Sequence, residues 1–256
     1  MADDIGDLMF QAIERGDYNT VEHYVNTYSL NHCAAWDDGY ALLKHSLEKG
    51  QREISMFLLK DNLKLNPYFD PFFGFNEDKT PLHIAIEKYD MEIIQKLLDK
   101  GANVNAHGEY CKTPLYFAVQ NKDIEMVQML LDKGADVGVC DRNDKTPLHF
   151  AVQNKDMEMV QMLLDKGAKL IKQYSFDESH NYLHIAVNNK DMEMVQMLLD
   201  KGAYVNGCDT NSKTPLHFAV QNNNMEMVQM LLDNGAYVNS CDTNGKTPLQ
   251  IAVQNN

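Results

Sequence analysis

Thr146–Ala168, TPLHFAVQNKDMEMVQMLLDKGA, decides the fold, because it returns almost letter for letter at Thr214–Ala236 as TPLHFAVQNNNMEMVQMLLDNGA. Recognisable copies begin at Thr80, Thr113 and Thr247, and a worn one surrounds Leu183. The leucine of the motif falls at Leu82, Leu115, Leu148, Leu183, Leu216 and Leu249, so the spacings are 33, 33, 35, 33 and 33 residues. A fixed period of this size means one supersecondary unit stacked many times.

One unit can be read from its residues. Thr146 precedes Pro147, whose missing N–H and fixed φ suit a first helical turn, so Thr caps the helix and Pro starts it. Leu148, Ala151 and Val152 then share one apolar stripe. Asn154 and Lys155 break this inner helix. A second, outer helix starts at Asp156, where the helix dipole favours an acid, and is predicted to bury Met159, Val160, Leu163 and Leu164. Gly167 ends it in a left-handed conformation. A finger of turns leads to the next pair, and no pair can cover its own apolar face.

Period, TPLH start and LLDKGA close agree over five and a half copies, and on these residues the chain resembles the ankyrin-repeat proteins. The likeness is clear from Asn76 to Asn256. It implies an all-α ankyrin-repeat solenoid, with stacked helix–turn–helix units and β-turn fingers. We divide the chain into two divergent capping repeats with a long aromatic finger (1–76), five regular repeats (77–243) and an incomplete last repeat (244–256). In the first segment Ala12, Asp17 and Val21 overlay Ala151, Asp156 and Val160, and Leu43, Ser46, Ile54, Leu58 and Leu59 fall in buried places, although TPLH is missing. The last copy, TPLQIAVQNN, would leave Leu249 and Val253 uncovered, and we expect the natural protein to continue into an outer helix.

Two fingers depart from the period. Leu43 to Leu82 spans 39 residues, and the surplus holds Tyr68, Phe69, Phe72, Phe73 and Phe75 between prolines. These rings either fold back over the cap or anchor a partner. The 35-residue spacing comes from KLIKQYSFDESHNYLH, where Tyr174 and Phe176 replace polar residues and Asn181–Tyr182 replaces Thr–Pro, weakening the helix start. This copy is either a tolerated degenerate repeat or a partner contact.

The 256 residues hold 23 Lys plus Arg against 37 Asp plus Glu, a net charge of −14, which argues against nucleic-acid binding and against anionic membrane surfaces. With no apolar run of about 18 residues and an acidic start, MADDIGDLMF, the chain is expected to be cytoplasmic. Of the five cysteines (Cys33, Cys111, Cys140, Cys208 and Cys241) the last three share one repeat position. Repeats about 8–10 Å apart are too distant for a disulfide, and no CxxC spacing suggests zinc. The same spacing prevents His83, His149, His184 and His217 from sharing a metal. The resemblance implies instead that these histidines tie turns together. Paired methionines such as Met126/Met129 and Met159/Met162 read as packing between repeats. No catalytic motif is present, and we expect no enzyme activity, metal or cofactor.

What the resemblance implies is binding of another protein by finger tips and inner helices. The informative positions vary while the scaffold repeats. At the tips they are Glu77, Tyr110, Arg142, Asn143, Tyr174, Phe176, Asn211, Ser212 and Asn244. At the inner-helix ends they are Tyr89, Lys122, Lys155, Lys190 and Asn223, where the family generally has Gly. Phe72 and Phe73 join them if the long finger faces a partner. The acidity favours a partner with a basic patch. A substrate-recruiting adaptor arm of a larger assembly and a structural spacer are the alternatives. Asn105, Asn206 and Asn239, which suit turns, stand where ankyrin-like domains can be hydroxylated.

Overall fold

The computed structural model describes residues 2–28, 39–60, 65–66, 79–170 and 182–255. Among them it has fifteen α-helices and no strand. Tyr68, Phe69, Phe72, Phe73, Phe75, Glu77, Tyr174, Phe176, Asn181 and Cys33 lie outside the described residues. Two compact units divide at Asp136/Val137. The first holds the pairs α1 (Ala2–Arg15)/α2 (Tyr18–Tyr28), α3 (Tyr40–Glu48)/α4 (Arg52–Leu58), α5 (Pro81–Glu87)/α6 (Met91–Asp99) and α7 (Pro114–Gln120)/α8 (Ile124–Asp132). The second holds α9 (Pro147–Gln153)/α10 (Met157–Asp165), α11 (Tyr182–Asn188)/α12 (Met192–Asp200), α13 (Pro215–Gln221)/α14 (Met225–Asp233) and the single α15 (Pro248–Asn255).

Within each unit the inner helices form the spine. In the first, α3 packs on α1 and α5, and α5 on α7; in the second, α11 lies between α9 and α13, and α13 meets α15. Outer helices cover the spine with Met159, Val160 and Leu163 in α10 and their counterparts Met194, Val195 and Leu198 in α12, all at most 1% exposed. Leu164, expected in the core, is only half-buried, because it sits at the edge of the apolar stripe. Met126, Met159, Met194 and Met227 are fully packed, while Met129, Met162, Met197 and Met230 are half-buried.

The caps follow the residues. Thr80, Thr146 and Thr214 each hold the N-terminus of an inner helix in a reciprocal capping arrangement with the histidine three residues on. The acid before each outer helix does more than favour the dipole. Asp90, Asp123, Asp156 and Asp191 accept the N–H three residues ahead at 3.0–3.1 Å, and Asn224 does the same. The divergent first pair keeps this device, with the Thr20 N–H donating to Asp17. Where TPLH is missing, Arg52 reaches from α4 to Asp90 and Glu92, clamping the second pair to the third.

Tyr182, which breaks the Thr–Pro start of α11, has a compensating bond. Its ring is buried 4.3 Å from His149, and its hydroxyl lies 3.0 Å from Thr146 Oγ1, one repeat back. Burial pushes the phenol up to about 12. Tyrosine here thus supplies a hydrogen bond between repeats that proline could not make.

The histidines carry the links that the resemblance implied. His83 Nδ1 faces the Thr80 N–H at 3.2 Å and must accept, so Nε2 carries the proton and donates to the Lys112 carbonyl at 3.1 Å. His184 and His217 reach the Lys213 and Lys246 carbonyls in the same way, at 2.8 and 3.1 Å. Burial first, with nearby Lys79 and His107 adding, lowers the His83 pKa to about 4. Burial also lowers that of His184.

This fixes a pH dependence. Between about 6.5 and 4 the unfolded chain takes up a proton at His83 that the folded chain refuses, so stability falls as the pH drops through that window. The loss from His83 approaches about 3 kcal/mol and levels off below the folded value. Gln250, in the histidine's place in the last repeat, accepts the Thr247 N–H through Oε1 at 2.9 Å, so glutamine can keep the cap without titrating. His83→Gln is expected to cost about 1 kcal/mol at pH 7 and to flatten the acid dependence, read by urea denaturation at pH 7, 5 and 4. An unchanged acid slope would contradict the linkage.

Candidate protein-binding surface

The fingers before α9, α13 and α15 are each built by one acid. Asp141 Oδ1 accepts the N–H groups of Asn143 and Lys145 at 2.8 and 3.0 Å, and Asp209 and Asp242 repeat this at 2.7–2.9 Å. The Lys246 N–H bond holds the Asp242 carboxyl below its ordinary range. The turn puts Arg142, Asn143, Asn211 and Asn244 on the exposed tip. In the second unit adjacent tips join directly, the Thr243 N–H donating to the Asn211 carbonyl at 2.9 Å.

The finger before α7 is made differently. Gly108 replaces the acid, and a Cβ there would press on the His83 ring at 3.1 Å. The Glu109–Cys111 turn then puts both Tyr110 and Cys111 at positive φ, 58° and 60°. Tyr110 is 53% exposed. Beside it the Lys112 ammonium lies 4.6 Å over the Tyr116 ring and 5.9 Å from the Tyr110 and Phe117 rings.

Lys112 belongs to a row that the variability argument passed over because it repeats. A lysine stands before each Thr–Pro, and Gln or Glu follows eight residues later. Lys79 pairs with Glu87 at 2.7 Å, Lys246 reaches Gln254 at 2.8 Å, and Lys213 reaches Gln221 at 3.4 Å while passing 5.7 Å from the Phe218 ring. These bridges lay the finger's foot along the inner helix. Exposed Tyr204 and Tyr237, equivalent positions of adjacent repeats, were likewise not singled out by sequence.

Tyr89, Lys122, Lys155, Lys190 and Asn223 all emerge exposed at the far end of the inner helices, so they do not converge with the tips. An inner helix of seven residues separates the two groups by about 10 Å. All five are left-handed, with φ from 54° to 58°. Gly16 and Gly50 occupy this place in the divergent pairs, at φ 70° and 73°. A non-glycine residue there costs on the order of 1 kcal/mol. The side chain is therefore kept at the expense of stability, which marks the position.

Asn105 and Asn206 have a different task. Asn105 donates to the Gly134 carbonyl at 3.1 Å and accepts the Asp136 N–H at 2.8 Å; Asn206 does the same with Gly235 and Tyr237 at 3.1 and 2.7 Å. Asn66 bridges Gly101 and Asn103 alike. These amides pair one repeat with the next.

Replacing Lys190 with glycine is expected to raise stability by about 0.5–1 kcal/mol, because release of strain outweighs the extra freedom of the unfolded chain. Asn223→Gly should gain less, since asparagine tolerates the left-handed region. Chemical denaturation of both variants decides it, and a less stable Lys190→Gly protein would reject the strain.

Three copies of a family model described as ankyrin repeats match residues 8–108, 106–174 and 183–256. No curated protein matches the sequence. Among solved structures, the ankyrin repeat domain of Bcl-3, a member of the IkappaB protein family, superposes with a TM-score of 0.64 at 24% identity. The match covers 95% of this chain and 92% of that one. Such a likeness fixes architecture, and 585 solved chains share it, so it selects no partner. Helix pairs, histidine ties and matched family model agree: the chain belongs to the ankyrin-repeat family.

Proposed function

We propose that this chain is a protein-binding module whose contacts are made by finger tips and the exposed ends of inner helices. Ankyrin repeats in general mediate protein–protein interaction. For this chain the carrying observation is the row of non-glycine residues at left-handed helix ends, where the divergent pairs use glycine. A spacer would gain nothing from tolerating strain at Tyr89, Lys122 and Lys190; Lys155 differs, because its ammonium donates to the Asn189 carbonyl at 3.0 Å. Tyr89 and Tyr110, 54% and 53% exposed, offer large rigid contacts of the kind that dominate interfaces.

The partner we propose carries a basic patch. The net charge of −14 steers such a partner in at low salt. At contact, exposed tyrosine faces accept lysine and arginine. Screening over about 8 Å at physiological salt leaves the local groups to set affinity. Encounter is proposed to take place in the cytoplasm, in keeping with free thiols at Cys111, Cys208 and Cys241.

Display selection of peptides on the immobilised chain is expected to enrich Lys- and Arg-containing sequences. Tyr110→Ala, Arg142→Ala and Asn211→Ala together should weaken the selected binders at least about tenfold, a loss of about 1.4 kcal/mol. Binders unaffected by all three changes would place the contact elsewhere.

A further inference from the structure

A cleft of about 200 Å³ opens in the first unit between the second and third helix pairs. Its floor is Leu47 of α3, Ala85 of α5 and Ile93 of α6. The equivalent junction between α9/α10 and α11/α12 shows which residues make it. There Lys155, Met157, Val160 and Met194 stand where Gly50, Arg52, Ser55 and Ile93 line the cleft. Val160 and Met194 are fully buried, and the Lys155 ammonium crosses to the Asn189 carbonyl at 3.0 Å, covering the place. In the earlier junction Gly50 has no side chain to cross with, and Arg52 is held at the mouth by Asp90 at 2.7 Å and by Glu92. Ser55 turns to Ser46, their hydroxyls 2.8 Å apart in the core. The scaffold can therefore fill this junction and here does not.

We propose that this cleft takes one aromatic side chain of the bound protein. The inference rests on the protein-binding reading and names a contact for it. Size comes first: about 200 Å³ is below the range of small-molecule sites, roughly 300–1,000 Å³, and suits a single large side chain. Charge disfavours the ionic ones. At the mouth Arg52 is matched by Asp90 and Glu92, and the Lys88 ammonium stands where a Cβ on Gly50 would meet it at 3.8 Å. An entering lysine or arginine would face that ammonium, and an acid would have to lie against the apolar floor. A ring meets both demands, its body on Leu47 and Ile93 and its π face toward Lys88, which has no ion pair among the described residues. Position agrees, because the exposed Tyr89 lies between Lys88 and Asp90, so the cleft adjoins the row of left-handed helix ends. Aromatic anchors seated in pockets are where interface energy concentrates.

The test titrates the 256-residue chain, carrying labelled alanine and isoleucine methyls, with N-acetyl-tryptophanamide, N-acetyl-leucinamide and N-acetyl-lysinamide, read by NMR. Saturable shifts of the Ala85 and Ile93 methyls are expected with the tryptophan probe, at an affinity on the order of 1 mM. The other two probes should bind about tenfold more weakly. Gly50→Lys gives the cleft the side chain that Lys155 gives its counterpart, and lysine is already held in the left-handed region at Lys122, Lys155 and Lys190. This variant should keep its circular dichroism and lose the shifts. Should it fail to fold, Ser46→Ala with Ser55→Val decides instead, because it restores the residues of the regular pairs and narrows the same cleft. Absent shifts with the tryptophan probe, an unchanged response in the filled variant, or a preference for the leucine or lysine probe overturns the proposal. The chain with Tyr110→Ala, Arg142→Ala and Asn211→Ala should bind the tryptophan probe unchanged, so failure of the finger-tip contact and failure of this one are told apart.

Discussion

An imidazole that accepts from one repeat and donates to the next is the bond on which the array depends. His83, His184 and His217 each reach a lysine carbonyl 29 residues ahead. The backbone N–H of the capping threonine at Nδ1 leaves a single useful tautomer for His83 and His217, with Nε2 as donor. That carbonyl belongs to the residue whose side chain lies along the inner helix, so a buried bond sets the height of an exposed finger. Apolar packing alone would allow adjacent pairs to slide; a polar bond with one geometry does not.

Two further ladders run beside it, and they divide the work. The asparagine amides at Asn66, Asn105 and Asn206 couple the loops that leave the outer helices, while Asp141, Asp209 and Asp242 shape each finger internally. Buried or strained backbone in a turn needs such partners, because every unpaired N–H there costs desolvation. Histidine, asparagine and aspartate thus hold three levels of the same loop. The tips at Asn143, Asn211 and Asn244 stand exposed above these three levels.

Much of the fold was legible because its signals are local and repeated. Thr–Pro starts, acidic caps and terminal glycines each act within four residues, so TPLH and LLDKGA placed nearly every regular helix, and even the divergent Ala12, Val21, Leu43 and Leu58 fell in the core. Bonds between repeats were less legible. Tyr182 looked like a lost cap, and only three dimensions show its hydroxyl against Thr146 36 residues away. The asparagines looked like turn formers for the same reason. Lys79, Lys213 and Lys246 were visible as a recurring letter, but a criterion that seeks variation discards what recurs. The left-handed helix ends were singled out as departures from glycine. Their strain was not visible, since φ is not written in a side chain.

Charge distribution limits what such a surface can recognise. Lysine at the finger's foot is matched by Glu87 in one repeat but by neutral glutamine in others, at Gln221 and Gln254. A glutamine partner orients the ammonium without cancelling its charge, whereas the carboxylates of Asp141, Asp209 and Asp242 are already occupied by backbone donors. Positive groups that are held but not neutralised, beside half-buried phenylalanines, make a surface that is ordered before any partner arrives. Ordering in advance lowers the entropic cost of association. An acidic chain can therefore draw a basic partner from a distance through its total charge. On the proposed reading, tyrosine faces and fixed ammonium groups would set the discrimination close in, the latter rejecting any basic residue that arrives out of register.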